Sequence, residues 1–293
     1  MRRMLSPLRW EDRPDLATRL SPRAVARPWG RAVLPHVFAD FAHAGERIGE
    51  VWHEEQDASA CRLLVKHLFT ADLLSIQVHP DSRQAAVRGL PCGKDEAWFV
   101  LDAEPGAVIG LGLRQGIEAG KLRDAALDGS IEQLIDWRPV AAGDVLACPG
   151  GTIHAIGGGI SLIEVQQNLD LTYRLYDYGR PRELHLDDAI DVAIPGPAPI
   201  TPEPRCVGDG RELLLEGGSF VLERWRLSAP ARIDGSATEL LLIPLAQGAR
   251  LDGAPLRPGE VWRVPAVSSL EPGEGADLLV AYTGSDLRPD LLR

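Results

Sequence analysis

Between Leu73 and His79 apolar and polar residues alternate. Leu74, Ile76 and Val78 fall on one side, Ser75, Gln77 and His79 on the other. Successive side chains of a strand point to opposite faces, so this period predicts a strand over 73–78. Pro80 and Asp81 then supply turn chemistry. A hydroxyl, an amide and an imidazole on one face of an apolar strand need partners, because buried polar groups are costly without hydrogen bonds.

The same kind of pattern predicts short strands over 47–52, 61–69, 96–101, 144–148, 152–156, 161–166 and 171–178. Residues 1–27 read as irregular, 28–31 as a turn and 80–93 as a polar loop. Leu122, Ala125, Ala126, Leu127, Ile131, Leu134 and Ile135 recur at helical spacing, which predicts a helical region over 117–137, interrupted at Gly129. Pro195, Pro197, Pro199, Pro202 and Pro204 exclude a ladder there and predict an extended linker. Strand patterns resume at 212–216, 220–227, 240–245, 261–264 and 278–282. Many short strands with Gly/Pro turns and no βαβ alternation imply a mainly β sandwich or barrel. Residues 142–149 (Ala-Gly-Asp-Val-Leu-Ala-Cys-Pro) align without gaps with 258–265 (Pro-Gly-Glu-Val-Trp-Arg-Val-Pro). No histidine follows His185, so a second, related half lacks the imidazoles for a metal site of its own.

Composition narrows the class. The chain has 293 residues, 45% hydrophobic and 25% charged, as expected of a soluble globular protein. A net charge of -11 argues against nucleic acid or an anionic membrane as partner, and an anionic substrate would need a local basic pocket. No apolar run is long enough to span a bilayer, and the N-terminal stretch lacks the apolar core of a signal peptide. Cys61, Cys92, Cys148 and Cys206 show no paired spacing and read as free thiols of a reducing cytoplasm.

Three separated stretches offer metal-ligand chemistry. Gln77 and His79 share a strand face, Glu96 stands where a loop re-enters a strand, and His154 follows the Gly150–Gly151 turn. Two imidazoles, a carboxylate and an amide suit Zn²⁺ with a position left for water or substrate. They also resemble the facial triad of non-haem iron enzymes. Lys66 lies in an apolar run, either snorkelling to the surface or aimed into a site. Thr172, Arg174, Tyr176 and Tyr178 share one strand face, in a segment whose Asn, Asp, Arg and Tyr fit contact with a sugar.

The motifs Ser75-Ile-Gln-Val-His-Pro80, Gly93-Lys-Asp-Glu-Ala-Trp98, Gly151-Thr-Ile-His-Ala-Ile156, Glu164-Val-Gln-Gln-Asn168 and Thr172-Tyr-Arg-Leu-Tyr-Asp-Tyr178 together closely resemble type I phosphomannose isomerases, in the family's order and over roughly residues 28–188. The resemblance implies a cupin (jelly-roll) catalytic domain over 1–194, a linker over 195–204 and a small β domain over 205–293, a degenerate second cupin. It implies one Zn²⁺ per chain on Gln77, His79, Glu96 and His154. It further implies Arg174 as the active-site arginine, Lys66, Ser75 and Lys94 at a phosphate, and Asp170 in proton transfer, for which Glu164 also stands as a candidate. Longer members carry a histidine where this chain has Gly93, and a larger helical insertion, so the chain looks like the short bacterial form. The implied reaction interconverts mannose 6-phosphate and fructose 6-phosphate through an enediol. A non-haem iron oxygenase and a non-catalytic sugar-phosphate-binding cupin stand as alternatives.

Overall fold

The structure is a computed structural model that describes residues 16–43, 45–55 and 61–292. It is mainly β, with antiparallel strands in four sheets. A six-stranded sheet runs in the order Ser21–Arg31, Ile48–Glu54, Leu63–Phe69, Ile160–Gln167, Glu96–Ala103, Val145–Cys148. A five-stranded sheet runs Tyr173–Tyr176, Ile76–Val78, His154–Ile156, Val108–Leu113, Ile135–Pro139. No helix among the described residues is long and apolar enough to cross a membrane.

The described residues divide into two compact units, one of residues 24–51 and 66–201, the other drawn from 1–23, 52–65 and 202–293. The second unit thus takes in two early segments besides the C-terminal stretch. Thr18–Arg19 pairs with Trp262–Arg263, and the Glu239 carboxylate accepts from the N–H groups of Arg62 (2.7 Å) and Leu63 (3.2 Å). The proline-rich stretch makes no ladder strand, but its start is tied within the first unit. Ile194 N donates to Gly151 O, and Pro195 O and Gly196 O accept from Ile117 N and Leu113 N.

Alternating positions explain the core of the first unit. Ile76 and Val78 pack with Leu113, Leu122, Ile131, Leu175 and Val192, so one face of the five-stranded sheet is covered by helices. Leu68, Trp98, Val100, Leu111, Ile156 and Leu162 form a second cluster, which joins residues of both sheets. Three sequence expectations need correction. The 117–137 region is two helices, Ala119–Asp128 and Ile131–Leu134, followed by the strand Ile135–Pro139, which holds Trp137. Gly129 ends the first helix at φ 83°, a left-handed conformation glycine adopts without strain. The strand Ser21–Arg31 occupies residues read as irregular, and its end occupies the expected turn at 28–31. It lies at a sheet edge, where Pro22 and Pro28 forfeit no ladder bond with a further neighbour. The loop 80–93 contains the helix Ser82–Val87, closed by a capping box in which Gln84 N donates to the Asp81 carboxylate (2.6 Å) and Asp81 N to Gln84 Oε1 (2.9 Å).

The aligned stretches 142–149 and 258–265 share a built turn. Gly143 and Gly259 have φ 94° and 86°. Asp144 and Glu260 each donate backbone N–H to the carbonyl three residues back, at Ala141 and Arg257, and each side-chain carboxylate accepts that residue's N–H.

The C-terminal unit is held by a fully buried ion pair. Glu223 accepts two hydrogen bonds from Arg211 (2.8 Å each), one from Trp225 Nε1 (2.8 Å) and one from the Tyr282 hydroxyl (2.7 Å). Breaking a buried pair is far worse than replacing it. Arg211→Ala is expected to cost about 3–5 kcal/mol in urea unfolding, and Arg211→Met with Glu223→Leu much less. Equal losses from the two variants would show that the pair is not the anchor.

Candidate active site

All the expected site residues lie in the first unit. Backbone bonds gather three of their stretches around the Pro80 turn. His79 O accepts from Gly151 N (2.7 Å), Pro80 O from Lys94 N (2.9 Å), and the Asp95 carboxylate from Gly150 N (2.9 Å). The approach is tight enough to dictate composition. A Cβ on Gly93 would lie 2.4 Å from Ser82 N, and one on Gly150 would lie 2.5 Å from Asp81 Cα. Gly93 stands where this backbone leaves no room for a side chain.

His79, Glu96 and His154 are brought together, each about 1–2% exposed. Their ligand atoms all lie within 4.8 Å of one another. His79 Nε2 is 3.4 Å from Glu96 Oε1, and His154 Nε2 is 3.7 Å from Oε2. Two donors bound tetrahedrally at the Zn–N and Zn–O lengths stand about 3.3 Å apart, so the group matches a metal centre in scale. Neither Glu96 oxygen accepts a hydrogen bond although both are buried. Lys94 Nζ stands 3.0 Å from Oε1 and 3.3 Å from His79 Nε2. His154 Nδ1 donates to Thr152 O (2.9 Å), which fixes the tautomer and leaves the Nε2 lone pair facing the carboxylate. The buried thiol of Cys148 lies 3.3 Å from the same Nδ1. Gln77 Nε2 is 3.2 Å from His154 Nε2, and Gln77 Oε1 accepts from Ser75 Oγ at 3.1 Å. Turning the amide over presents its oxygen to the centre, and a side-chain amide has both orientations available. Two neutral imidazoles, an unsatisfied carboxylate and an amide fit a metal ion.

Burial dominates the electrostatics. It lowers His154 to about 4 against the opposing Thr152 bond, and lowers His79 well below the usual range with help from the Lys94 charge. It raises Glu96 to about 7, reinforced by the nearby Glu164 carboxylate and opposed by Lys94 and Lys66. Glu164 escapes the same fate. Burial works against its ionisation, but Lys66 and Lys94, with hydrogen bonds from Lys66 and Trp98, hold it below the usual carboxylate range. Lys66 Nζ donates to Glu164 Oε1 (3.0 Å) and Gln166 Oε1 (2.5 Å), and Trp98 Nε1 donates to Glu164 Oε2 (3.1 Å). Lys66 is therefore buried and ion-paired, not snorkelling to the surface. Gln166, which had no role in the sequence reading, belongs to this group. Its place two residues after Glu164 on one strand was the available signal.

Arg174 and Gln77 are cross-strand partners, as are Gln77 and His154, so the three side chains form a row on one sheet face. Arg174 is half-buried, and its Nε has no hydrogen bond. Asp170 is exposed, and among the described residues no bond or ion pair joins it to the cluster.

No protein-family model matches the chain. A mannose-6-phosphate isomerase of Streptococcus mutans is 35% identical over 240 residues, 76% of each chain. One from Bacillus subtilis is 32% identical over 225 residues, 70% of each. Among solved structures, a mannose 6-phosphate isomerase of Bacillus subtilis superposes with TM-score 0.76 over 90% of this chain and 98% of its own, at 23% identity. A zinc-bound mannose 6-phosphate isomerase superposes with TM-score 0.68 over 91% of this chain and 99% of its own, at 14% identity. The fold is thus the one shared by phosphomannose isomerases. On sequence, the chain belongs to the mannose-6-phosphate isomerase family.

The raised Glu96 gives a signed test. In the metal-free protein burial keeps both imidazoles neutral above about pH 5 and raises Glu96 to about 7. Binding of Zn²⁺ to the ionised carboxylate is expected to release a proton from Glu96 at pH 6, where the carboxyl is mostly protonated before the ion binds. Calorimetry in buffers of different ionisation enthalpy measures this. A Glu96 of ordinary acidity would release almost none at that pH.

Proposed function

We propose that the chain is a zinc-dependent aldose–ketose isomerase that interconverts mannose 6-phosphate and fructose 6-phosphate through an enediol. One observation carries the reading. A buried carboxylate beside Lys94 faces two neutral imidazoles, and one of these, His154, lies in a cross-strand row with Gln77 and the half-buried Arg174. Family membership supplies the substrate.

Gln77, His79, Glu96 and His154 would hold the ion. A bound zinc polarises the substrate's carbonyl oxygen as a Lewis acid. Arg174, beside Gln77 in the sheet, puts a fixed cation where negative charge develops as the proton leaves carbon. Lys94 and Lys66, both buried, are assigned to the phosphate. At an effective dielectric of about 20, one such pair at ~4 Å is worth roughly 4 kcal/mol before desolvation. Of the carboxylates assigned to proton transfer, Glu164 has both oxygens engaged by Lys66 and Trp98, whereas Asp170 is exposed with its lone pairs available. This favours Asp170 as the acceptor. Cys92, Cys148 and Cys206 are free thiols, in keeping with a reducing cytoplasm.

The test is a coupled assay with mannose 6-phosphate. A chelator is expected to abolish turnover and Zn²⁺ to restore it, and His79→Ala or His154→Ala to lose both zinc and activity. Stoichiometric zinc with normal turnover in either variant would remove it from the ligand set. At matched zinc content, Arg174→Ala is expected to lower kcat and kcat/KM together by about 10²–10³. A raised KM with normal kcat would make Arg174 a phosphate anchor instead.

A further inference from the structure

The strand Tyr173–Tyr176 is the edge of its five-stranded sheet. Ile76–Val78 pairs with its inner side, and no strand follows on the outer side. An edge leaves backbone N–H and C=O groups without ladder partners. At Arg174 a single residue takes both. Arg174 N donates to His185 Nδ1 (3.2 Å), and His185 N donates to Arg174 O (2.9 Å). His185 therefore occupies the place of a missing strand. Its Nδ1 accepts only in the neutral ring protonated at Nε2. The ring does not cap the helix Leu186–Val192 that begins at the next residue, so its hydrogen bond serves Arg174 and not its own helix.

Two features make this clamp consequential. The outward direction of Arg174 N–H and C=O makes Arg174 and Gln77 a non-hydrogen-bonded pair, the kind whose side chains come closest. The register then shifts between Arg174 and Tyr176, so the ladder itself holds Arg174 on one side only. A cation that stabilises developing charge must be in place before the reaction, and its own Nε has no hydrogen bond to hold it there.

We propose that His185 is the positioning residue of Arg174: it substitutes for a neighbouring strand and fixes the backbone from which the guanidinium reaches the row of Gln77 and His154. The inference rests on the electrostatic reading of Arg174. It is tested by steady-state kinetics of the zinc-loaded enzyme with zinc content and Tm measured for each variant. His185→Ala is expected to lower kcat about tenfold, short of the 10²–10³ cost of losing a preorganised donor, with KM and zinc content nearly unchanged. His185→Asn, whose Oδ1 accepts where Nδ1 did, is expected to retain most of kcat. His185→Gln, whose acceptor sits one bond further out, is expected to resemble alanine. In an Arg174→Ala background the His185 substitutions are expected to have no further effect on kcat. Equal kcat for the asparagine and glutamine variants overturns the inference, even if His185→Ala fails to fold. So does an undiminished His185 effect in the Arg174→Ala background. If Arg174→Ala keeps its kcat, the reading of Arg174 falls and the inference with it. If Arg174→Ala loses kcat and His185→Ala does not, the inference alone falls.

Discussion

A carboxylate placed in a dry interior must be answered by something, and Glu96 is the constraint around which the first unit is arranged. Desolvation penalises its charge, and Lys94 and Lys66 relieve the penalty only in part. The C-terminal unit shows what a merely structural solution looks like. Glu223, equally buried, is surrounded by an arginine fork, an indole and a phenol that use both its oxygens. Glu96 has instead two neutral imidazoles beside it and a single lysine, Lys94, that stands 3.0 Å from one of its oxygens and 3.3 Å from His79 Nε2. Lone pairs directed at lone pairs make sense when a cation between them is the missing partner. The Lys66–Glu164 pair, one strand away from Glu96 in the sheet, keeps a second carboxylate ionised without adding net charge.

Much of this was legible in the residues, for a reason of geometry. Period two is robust in a strand buried on one face; the strand is shorter than the pattern, Ile76–Val78, with Ser75 and His79 just beyond its ends, and Ser75 still meets Gln77 through a hydrogen bond. The period failed for Tyr176, expected on the face of Arg174: the register shifts between the two, so Arg174 pairs with Gln77 but Tyr176 with Ile76, and Tyr176 and Tyr178 pack in the apolar cluster of Ile76. What period cannot reveal is which strands are neighbours. The row from Arg174 through Gln77 to His154 comes from sheet order, which no local pattern encodes. His185 was invisible for the same reason, since its partner lies eleven residues away across a turn. Other misses had local signals. Asp81 and Gln84 spell a capping box. The alternation of Ile135 and Trp137 competed with helical spacing after Gly129, and the strand won because its partner Val108–Leu113 supplied a ladder.

The aligned turns at Gly143 and Gly259 share backbone geometry and an acid that closes the turn, because each satisfies local hydrogen bonds at the entry to a strand.

The distances along the chain at the Pro80 turn carry a consequence for how the protein comes into being. Gln77 and His154 are separated by 77 positions, and the two glycines that let their loops meet, Gly93 and Gly150, tolerate no intervening side chain. An unfolded chain therefore offers an ion no compact set of ligands, and closing so long a loop around it costs entropy that local contacts do not return. The four candidate ligands face one another only in the folded form, once the loops have met at the Pro80 turn.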